Sequence, residues 1–342
     1  MAGGQERVLR RRIKSVQSTK KITKAMELIA ASRIVKAQQR VAAARPYSER
    51  ITRVIGNLAN GGAGSSSPLL RSLDAADVHT VAYVVVCADR GLCGGYNTTV
   101  IRTAERAIKA DIDAGRNYRL ICVGKKADAY FKFRKYEITA SFHGMSDQPS
   151  YENAREVAKI VADMFNTGEV DKVDLVYTQF LSAGTQRVKH GQFMPLESTS
   201  VSEATTPAAS GPEASGPATA GPAADYEFEP SPDLILTLLL PRYAEARLFA
   251  SMLDSSASEH AARQRAMKSA TDNAQELIVK LSRTMNRARQ ESITTEIMEI
   301  VGGAEALSQD LGDDEDLHPH HLDAIELFPQ SPHGHLHQEP NR

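Results

Sequence analysis

Apolar residues recur at steps of three and four near both ends of the chain, and in short unbroken runs through its middle. Between residues 5 and 58 the series Leu9-Ile13-Val16, Ile22-Met26-Ile29 and Tyr47-Ile51-Val54-Leu58 reads as one face of a long helix, or of two in line. Pro46 is the one interior breaker, and a bend or slight offset is expected there. The glycine- and serine-rich NGGAGSSSP at 60–68 reads as a flexible stop. A second long helix is expected over 242–302, with Pro241 in its first turn and Gly302 and Gly303 at its end. Its stripe is Ala270-Ala274-Leu277-Leu281, then Ala288, then Ile293-Ile297-Ile300. At about 1.5 Å of rise per residue each helix would be roughly 80–90 Å long. Two such heptad-like helices at opposite ends of one chain suggest an antiparallel coiled coil.

The middle of the chain has a different period. VHTVAYVVVC (78–87), YRLICVG (118–124) and KVDLVYTQF (172–180) are short, apolar and β-branched. Helical stretches separate them at about 98–114, 125–135 and 151–167. That alternation predicts a parallel sheet covered on both faces, and RVKHGQF (187–193) is a candidate for one further strand. Residues 198–225 carry a proline every five residues among Ala, Gly and Ser, and residues 308–342 are acidic and rich in His and Pro. Neither composition can build a core, and both read as disordered.

Charge is unevenly placed. The net charge of −1 sums a basic start and an acidic end. Residues 1–58 hold 14 Lys and Arg against 3 acidic residues, while residues 308–342 hold 8 acidic residues against 1 basic. The N-terminus has basic residues with no apolar stretch behind them, so it does not read as a secretory signal. The densest apolar run, LILTLLL at 234–240, is about a third of the length of a membrane-spanning helix. Cys87, Cys93 and Cys122 are few, odd in number and not at zinc-ligand spacing. They read as reduced thiols packed as small apolar side chains in a cytosolic compartment.

The search for chemistry centres on VVVCADRGLCGGYN (84–97), where an apolar run ends in a glycine-rich loop before a helix. A Walker A loop needs a Lys and a Ser or Thr just after its glycines, and there is no lysine here. The dinucleotide pattern G-x-G-x-x-G is also missing, and the charge of Asp89 would repel phosphate. The glycines are therefore read as serving a tight turn and close packing, with only weak anion binding open to the helix start. His79, His143, His190 and His260 look isolated. The HPHH and HGHLH tracts of the tail could take up metal adventitiously, but no dedicated metal site is expected. The basic Arg10–Arg12 run, Lys14 and TKKITK (19–24) suit an acidic protein surface better than nucleic acid, because no aromatic precedes Tyr47.

Five blocks resemble the gamma subunit of bacterial F-type ATP synthase. They are SVQSTKKITKAMELIAASRI (15–34), ARPYSERITRVIGNLA (44–59), DRGLCGGYN (89–97), ASEHAARQRAMKSATDNAQELI (257–278) and NRARQESITTEIMEIVGGAEAL (286–307). The resemblance runs from about residue 2 to 307, apart from the 198–225 insert. It implies an α/β fold in which a long antiparallel coiled coil of the N- and C-terminal helices carries an inserted Rossmann-like parallel-sheet domain. The expected division is 1–59 for the first coiled-coil helix, 76–240 for the α/β foot domain, 241–307 for the second helix and 308–342 for the tail. It further implies a rotor shaft without catalysis of its own, peripheral at the cytoplasmic face of the cell membrane. The implied partners are a ring of three alpha and three beta subunits, the epsilon subunit and the membrane c-ring, with a possible delta contact through the tail. No cofactor, metal or nucleic acid is implied. By resemblance Lys20, Lys21, Lys24 and Met26 face the acidic levers of beta, and Arg289, Gln290, Thr294 and Glu296 meet the beta catch loops. Met26 also lies on the apolar stripe and could equally be core. Two other classes stay open on the residues alone: an α/β enzyme with coiled-coil arms, which would bind nucleotide, and a nucleic-acid-binding coiled coil, whose affinity would fall steeply with salt.

Overall fold

The computed structural model describes residues 2–60, 77–196 and 231–310. The 198–225 insert, all but the first three residues of the 308–342 tail with its histidine tracts, and most of the stop at 60–68 lie outside the described residues. The elements in chain order are α1 (Ala2–Asn60), β1 (Thr80–Val86), α2 (Tyr96–Asp113), β2 (Asn117–Val123), α3 (Lys125–Phe133), β3 (Ala140–Phe142), α4 (Tyr151–Asn166), β4 (Lys172–Phe180), β5 (Gln186–Met194) and α5 (Pro232–Asp310). The chain divides into two compact units. One spans 11–281, and the other joins residues up to Arg10 with those from Ser282 onward.

In the larger unit one five-stranded sheet has the order β3-β2-β1-β4-β5. β1 pairs in parallel with β2 and β4, and β2 in parallel with β3. Alternate residues of the strands feed two cores, as a period of two demands. Val81, Tyr83, Val85, Leu120 and Cys122 pack with Val100, Ile101 and Ile108 of α2 and with Phe131 of α3. Ala82, Val84, Val86, Ile121 and Val123 pack on the other face with Val157 and Val161 of α4. That second core also takes in Ile51, Ile55 and Leu58 of α1 and Leu236, Leu240, Tyr243, Leu248 and Met252 of α5. The long helices are thus clamped to the sheet by ordinary side-chain burial, and Ser150 opens α4 with a capping box to Asn153.

Three expectations need correction. The sheet is mixed, because β5 runs antiparallel to β4. Only Leu181–Thr185 separate the two strands, and a parallel crossover needs a dozen or more residues. The C-terminal helix begins at Pro232, not at Pro241, and continues past Gly302 and Gly303 to Asp310. LILTLLL forms its early turns, since burying Leu236 and Leu240 outweighs the hydrogen bond lost at an interior proline. Of the two readings of the N-terminal segment, one helix or two in line, the structure has the single helix, with Pro46 inside it.

The seam of α1 also differs from the apolar stripe read from the sequence. One series of buried and half-buried positions runs Ile13, Val16, Lys20, Thr23, Glu27, Ala30, Ile34, Ala37, Val41, Ala44, Ser48, Ile51, Ile55 and Leu58, with Met26, Ala31, Arg33, Gln38 and Thr52 covered beside it. Steps of four and three alternate throughout, the 3.5-residue period of a left-handed supercoil. On α5 the matching series starts at Met267 and continues through Thr271, Ala274, Ile278 and Leu281. Thr23 and Thr271 share a hydroxyl hydrogen bond of 2.8 Å, and Lys20 Nζ donates to Gln275 Oε1 at 2.6 Å. The numbers ascend on one helix as they descend on the other, so the pair is antiparallel. Ile22 and Ile29, assigned to the stripe, are 58% and 55% exposed, and Leu277 is exposed as well.

The smaller unit consists of the first turns of α1 and the end of α5. Ala288 and Ser292 are its buried positions on α5. From Ile293 to Leu307 every side chain is exposed, including Ile293, Ile297 and Ile300 of the expected stripe.

Candidate functional site

The glycine loop follows β1, where a phosphate loop would sit, and three observations explain its composition. First, Asp89 is itself held as an anion, at the start of α3 and not of the α2 that follows the loop. Its Oδ1 accepts from the Lys125 N–H at the start of α3 (3.0 Å) and its Oδ2 from the Ser146 N–H (3.2 Å). Burial would raise the Asp89 pKa, but the N–H groups of Gly144, Lys125 and Ser146 and the Ser146 hydroxyl outweigh it and hold the carboxyl below its ordinary value. Second, Gly124 lies at the end of β2 with φ +104°, and a Cβ there would stand 2.2 Å from the Cys87 carbonyl oxygen. Third, the loop is a socket for α5. Ala88, Cys93 and Tyr96 pack with Ala262, and a Cβ on Gly94 would lie 3.7 Å from that of Ala266. Tyr96 Oη donates to the Ser255 carbonyl at 3.2 Å, and Arg263 Nη2 donates to the Gly91 carbonyl at 3.3 Å.

The socket is anchored by a buried ion pair. Arg263 Nη2 and Glu259 Oε1 are 2.7 Å apart, with side chains 10% and 2% exposed. Burial raises the Glu259 pKa, against the pull of Arg263. The histidines are less isolated than they look in the sequence. His190 Nε2 lies 2.9 Å from Asp174 Oδ2, His143 Nε2 lies 3.4 Å from Asp128 Oδ2, and buried His260 lies against Asp147. These pairings hold sheet edges and loops. Among the described residues no three His, Cys, Asp or Glu gather as metal ligands. Cys87, Cys93 and Cys122 are all buried and unpaired. Burial raises each thiol pKa, Cys122 to about 12.

Asp254, on the sheet-facing part of α5, belongs to a different environment. It lines a small cavity with Ser48, Tyr177, Lys189 and Arg247. Burial pushes its pKa up to about 7, with Arg45, the Phe180 N–H and Lys189 pulling the other way. An unfolded Asp titrates near 3.8. The stability contributed by the protonated carboxyl is therefore complete below that value and is lost as pH rises through about 7. Asp254→Asn is expected to be more stable than the parent at pH 8, on the order of 3–4 kcal/mol, with the gap shrinking as pH falls through about 7 and closed near pH 4. Thermal melts at the two pH values check this, and a gap that does not shrink on acidification would contradict it.

The residues singled out by resemblance fall in two places. In the larger unit, Lys21 is exposed and Met26 half-buried. Lys24 pairs with Glu27 one turn along at 3.1 Å, and Lys20 is half-buried and bonded across the seam. In the smaller unit, Arg289, Gln290, Thr294 and Glu296 are all exposed. Thr294 Oγ1 donates to the Gln290 carbonyl at 3.0 Å, and Glu296 accepts from Ser292 at 3.3 Å. The described surface of α1 around this set also carries exposed Leu28, Ile29 and Val35, which sequence periodicity had placed in the seam or left unassigned.

The family model described as ATP synthase matches residues 5–307. This chain belongs to the ATP synthase gamma-chain family. The ATP synthase gamma chain of Parafrankia sp. (strain EAN1pec) is 47% identical over 309 residues, covering 89% of this chain and 98% of that relative. That of Symbiobacterium thermophilum is 42% identical over 302 residues, covering 88% and 98%. In fold the chain is similar to one from the Euglena gracilis mitochondrial ATP synthase OSCP/F1/c-ring assembly (TM-score 0.60, 18% identity, 93% of this chain and 99% of that one). It is also similar to one from the Tetrahymena thermophila central stalk/c-ring (TM-score 0.53, 22% identity, 73% and 99%). The family match extends through the socket and both long helices, and in this chain the residues of the glycine loop bind α5.

Proposed function

We propose that the chain is the central-stalk shaft of an ATP synthase, coupling rotation of a membrane c-ring to ATP synthesis on a surrounding alpha/beta ring, without chemistry of its own. The observation that carries this reading is the surface of the paired helices. Large apolar side chains stand outside the α1–α5 seam at Ile22, Leu28, Ile29 and Val35 of α1, and Ile293, Ile297 and Ile300 near the end of α5 are exposed as well. An apolar surface of this kind calls for a surrounding partner. Among the described residues no helix is long and apolar enough to cross a membrane, in keeping with a peripheral place on the complex. The foot domain at 76–240 would meet the c-ring and the epsilon subunit, and the tail the delta subunit.

On this reading Lys21, Lys24 and Met26 bear on beta from α1. Arg289, Gln290, Thr294 and Glu296 bear on it from α5. Lys20 contributes less, because its ammonium is held by Gln275. Shaft angle then biases each beta subunit between states of different nucleotide affinity, which is coupling in the thermodynamic sense. Reconstitution tests it. Mixed with the alpha and beta subunits, the chain is expected to join a complex in one copy and to stimulate ATP hydrolysis. In the membrane-reconstituted synthase, Arg289→Ala with Gln290→Ala is expected to lower ATP synthesis several-fold while the foot domain melts as before. Failure to assemble, or nucleotide binding by the chain alone, would reject the shaft; unchanged synthesis in the double variant would reject only the residue assignment.

A further inference from the structure

Beside the socket, between α1 and α5, is a cavity of about 120 Å³ lined by Arg33, Lys36 and Arg40 of α1, by Asp147 and Gln148 of the loop before α4, and by His260 of α5. The volume is several times what one ordered water needs. The three cations are spaced i, i+3 and i+7, so they share one face of the helix. Like charges so placed repel one another unless a counter-charge joins them. Asp147 supplies one, being ion-paired with Arg33. Arg40 Nη2 reaches only the neutral Gln148 Oε1, at 3.2 Å. The lining therefore keeps an excess of two positive charges.

The second observation is independent of that charge. His260 is 2% exposed, and its Nδ1 is a buried polar atom without a hydrogen-bond partner. Its Nε2 lies 3.3 Å from the Asp147 carbonyl and 3.5 Å from Asp147 Oδ1. An orphaned ring nitrogen carries a desolvation cost that most buried groups avoid by finding a partner. With Nε2–H set against the Asp147 carbonyl, Nδ1 of the neutral ring is an acceptor; it becomes a donor to an anion when the ring takes up a proton, so a small anion bound here would answer the uncompensated arginine and lysine charge and bring a proton onto Nδ1.

We infer that this cavity is a binding site for a single tetrahedral oxyanion, inorganic phosphate, held by Arg33, Lys36, Arg40 and His260 at the junction of both long helices with the foot domain. Arg33 and Arg40 offer fork-shaped donors suited to phosphate oxygens, and Lys36 a point charge. Asp147 opposes the anion and sets a limit on affinity, while its hold on Arg33 fixes the guanidinium. Binding would draw α1, α5 and the loop before α4 onto one ligand, so the site would respond to the concentration of a substrate of ATP synthesis. The inference does not depend on the shaft reading, since the isolated chain contains every named group.

Burial keeps His260 below its ordinary pKa, with Asp147 pulling up and Arg263 and Arg33 pushing down. A bound anion adds the opposite influence, so phosphate is expected to raise the His260 pKa. The test uses the full chain at constant ionic strength, titrated with inorganic phosphate by calorimetry and followed in parallel by the His260 ring resonances. Saturable binding is expected, at least fivefold weaker in Lys36→Gln and in Arg40→Gln, two exposed positions whose loss leaves the fold intact. The His260 titration midpoint should move up in phosphate and stay put in chloride. ADP should compete no better than phosphate. Non-saturable uptake, equal binding by both variants, an unmoved His260 or tighter binding of ADP would each overturn the assignment.

Discussion

Arg263→Ala is expected to cost about 3–5 kcal/mol of stability at neutral pH, the cost of leaving one member of a buried ion pair alone. The reason lies in what remains. Glu259 is 2% exposed on its side chain, and its Oε2 already has no hydrogen-bond partner. Burial raises its pKa even with Arg263 beside it. Without the guanidinium the folded-state pKa moves further up. A raised carboxyl pKa gives stability that is present below the unfolded value, ordinarily near 4.5, and is lost as pH rises through the folded one. The variant should therefore lie closest to the parent near pH 4.5 and fall away as the solution becomes neutral. Arg263→Ala with Glu259→Gln should recover much of the loss at pH 7.5, because the orphaned charge is gone. Denaturant melts at the two pH values distinguish this from simple loss of packing, which would be the same at both and would not be rescued.

Gly124→Ala is expected to be worse, on the order of 4 kcal/mol or more, in the range reserved for backbone positions that admit no side chain. The added carbon would stand 2.2 Å from the Cys87 carbonyl oxygen and 2.8 Å from its carbon, and backbone cannot swing aside as a side-chain end can. The φ of +104° at this position is one that only glycine adopts at low cost. Relief would require parting the end of β1 from β2, breaking the Cys87 N–H to Val123 carbonyl bond of 2.8 Å. That would carry the socket loop away from α5. Gly115→Ala is the control. That glycine also has positive φ, +78°, but a Cβ there meets nothing within 4 Å, so its loss should be the smaller by several-fold. Equal loss at both positions would show that φ alone, and not the closeness of Cys87, governs Gly124.

The amphipathic periods made the two long helices and the first strands legible in the sequence. They did not locate the seam. Ile22 and Ile29 lie on a stripe that sequence reading gives to the helix partner, yet they are exposed, while Thr23 and Lys20 take the inner positions by bonding to Thr271 and Gln275. Hydrophobicity alone ranks isoleucine above threonine, and only the register of the opposite helix reverses that order. The β4–β5 hairpin was available from the five residues between the strands, a length that permits no crossover. Pro241 misled because the tertiary burial of Leu236 and Leu240 is invisible to a local rule. The absence of a phosphate motif in the glycine loop was legible, and so was the awkward Asp89. The role of Asp89 as the occupant of the α3 start was not, since Lys125 and Ser146 are 36 and 57 residues away. The same holds for the cavity at His260, whose lining comes from three distant segments.

The three sealed thiols have a practical consequence. Cys87, Cys93 and Cys122 are the only cysteines in the chain and all are buried, with their ionisation suppressed by that burial. The thiolate is the reactive form, so the native surface is silent toward maleimides. A cysteine introduced at an outward position such as Phe133, 82% exposed at the end of α3, becomes a sole handle without any background to remove. A bead, a dye or a cross-linker can then be attached to one known point of the molecule while every natural thiol stays in place.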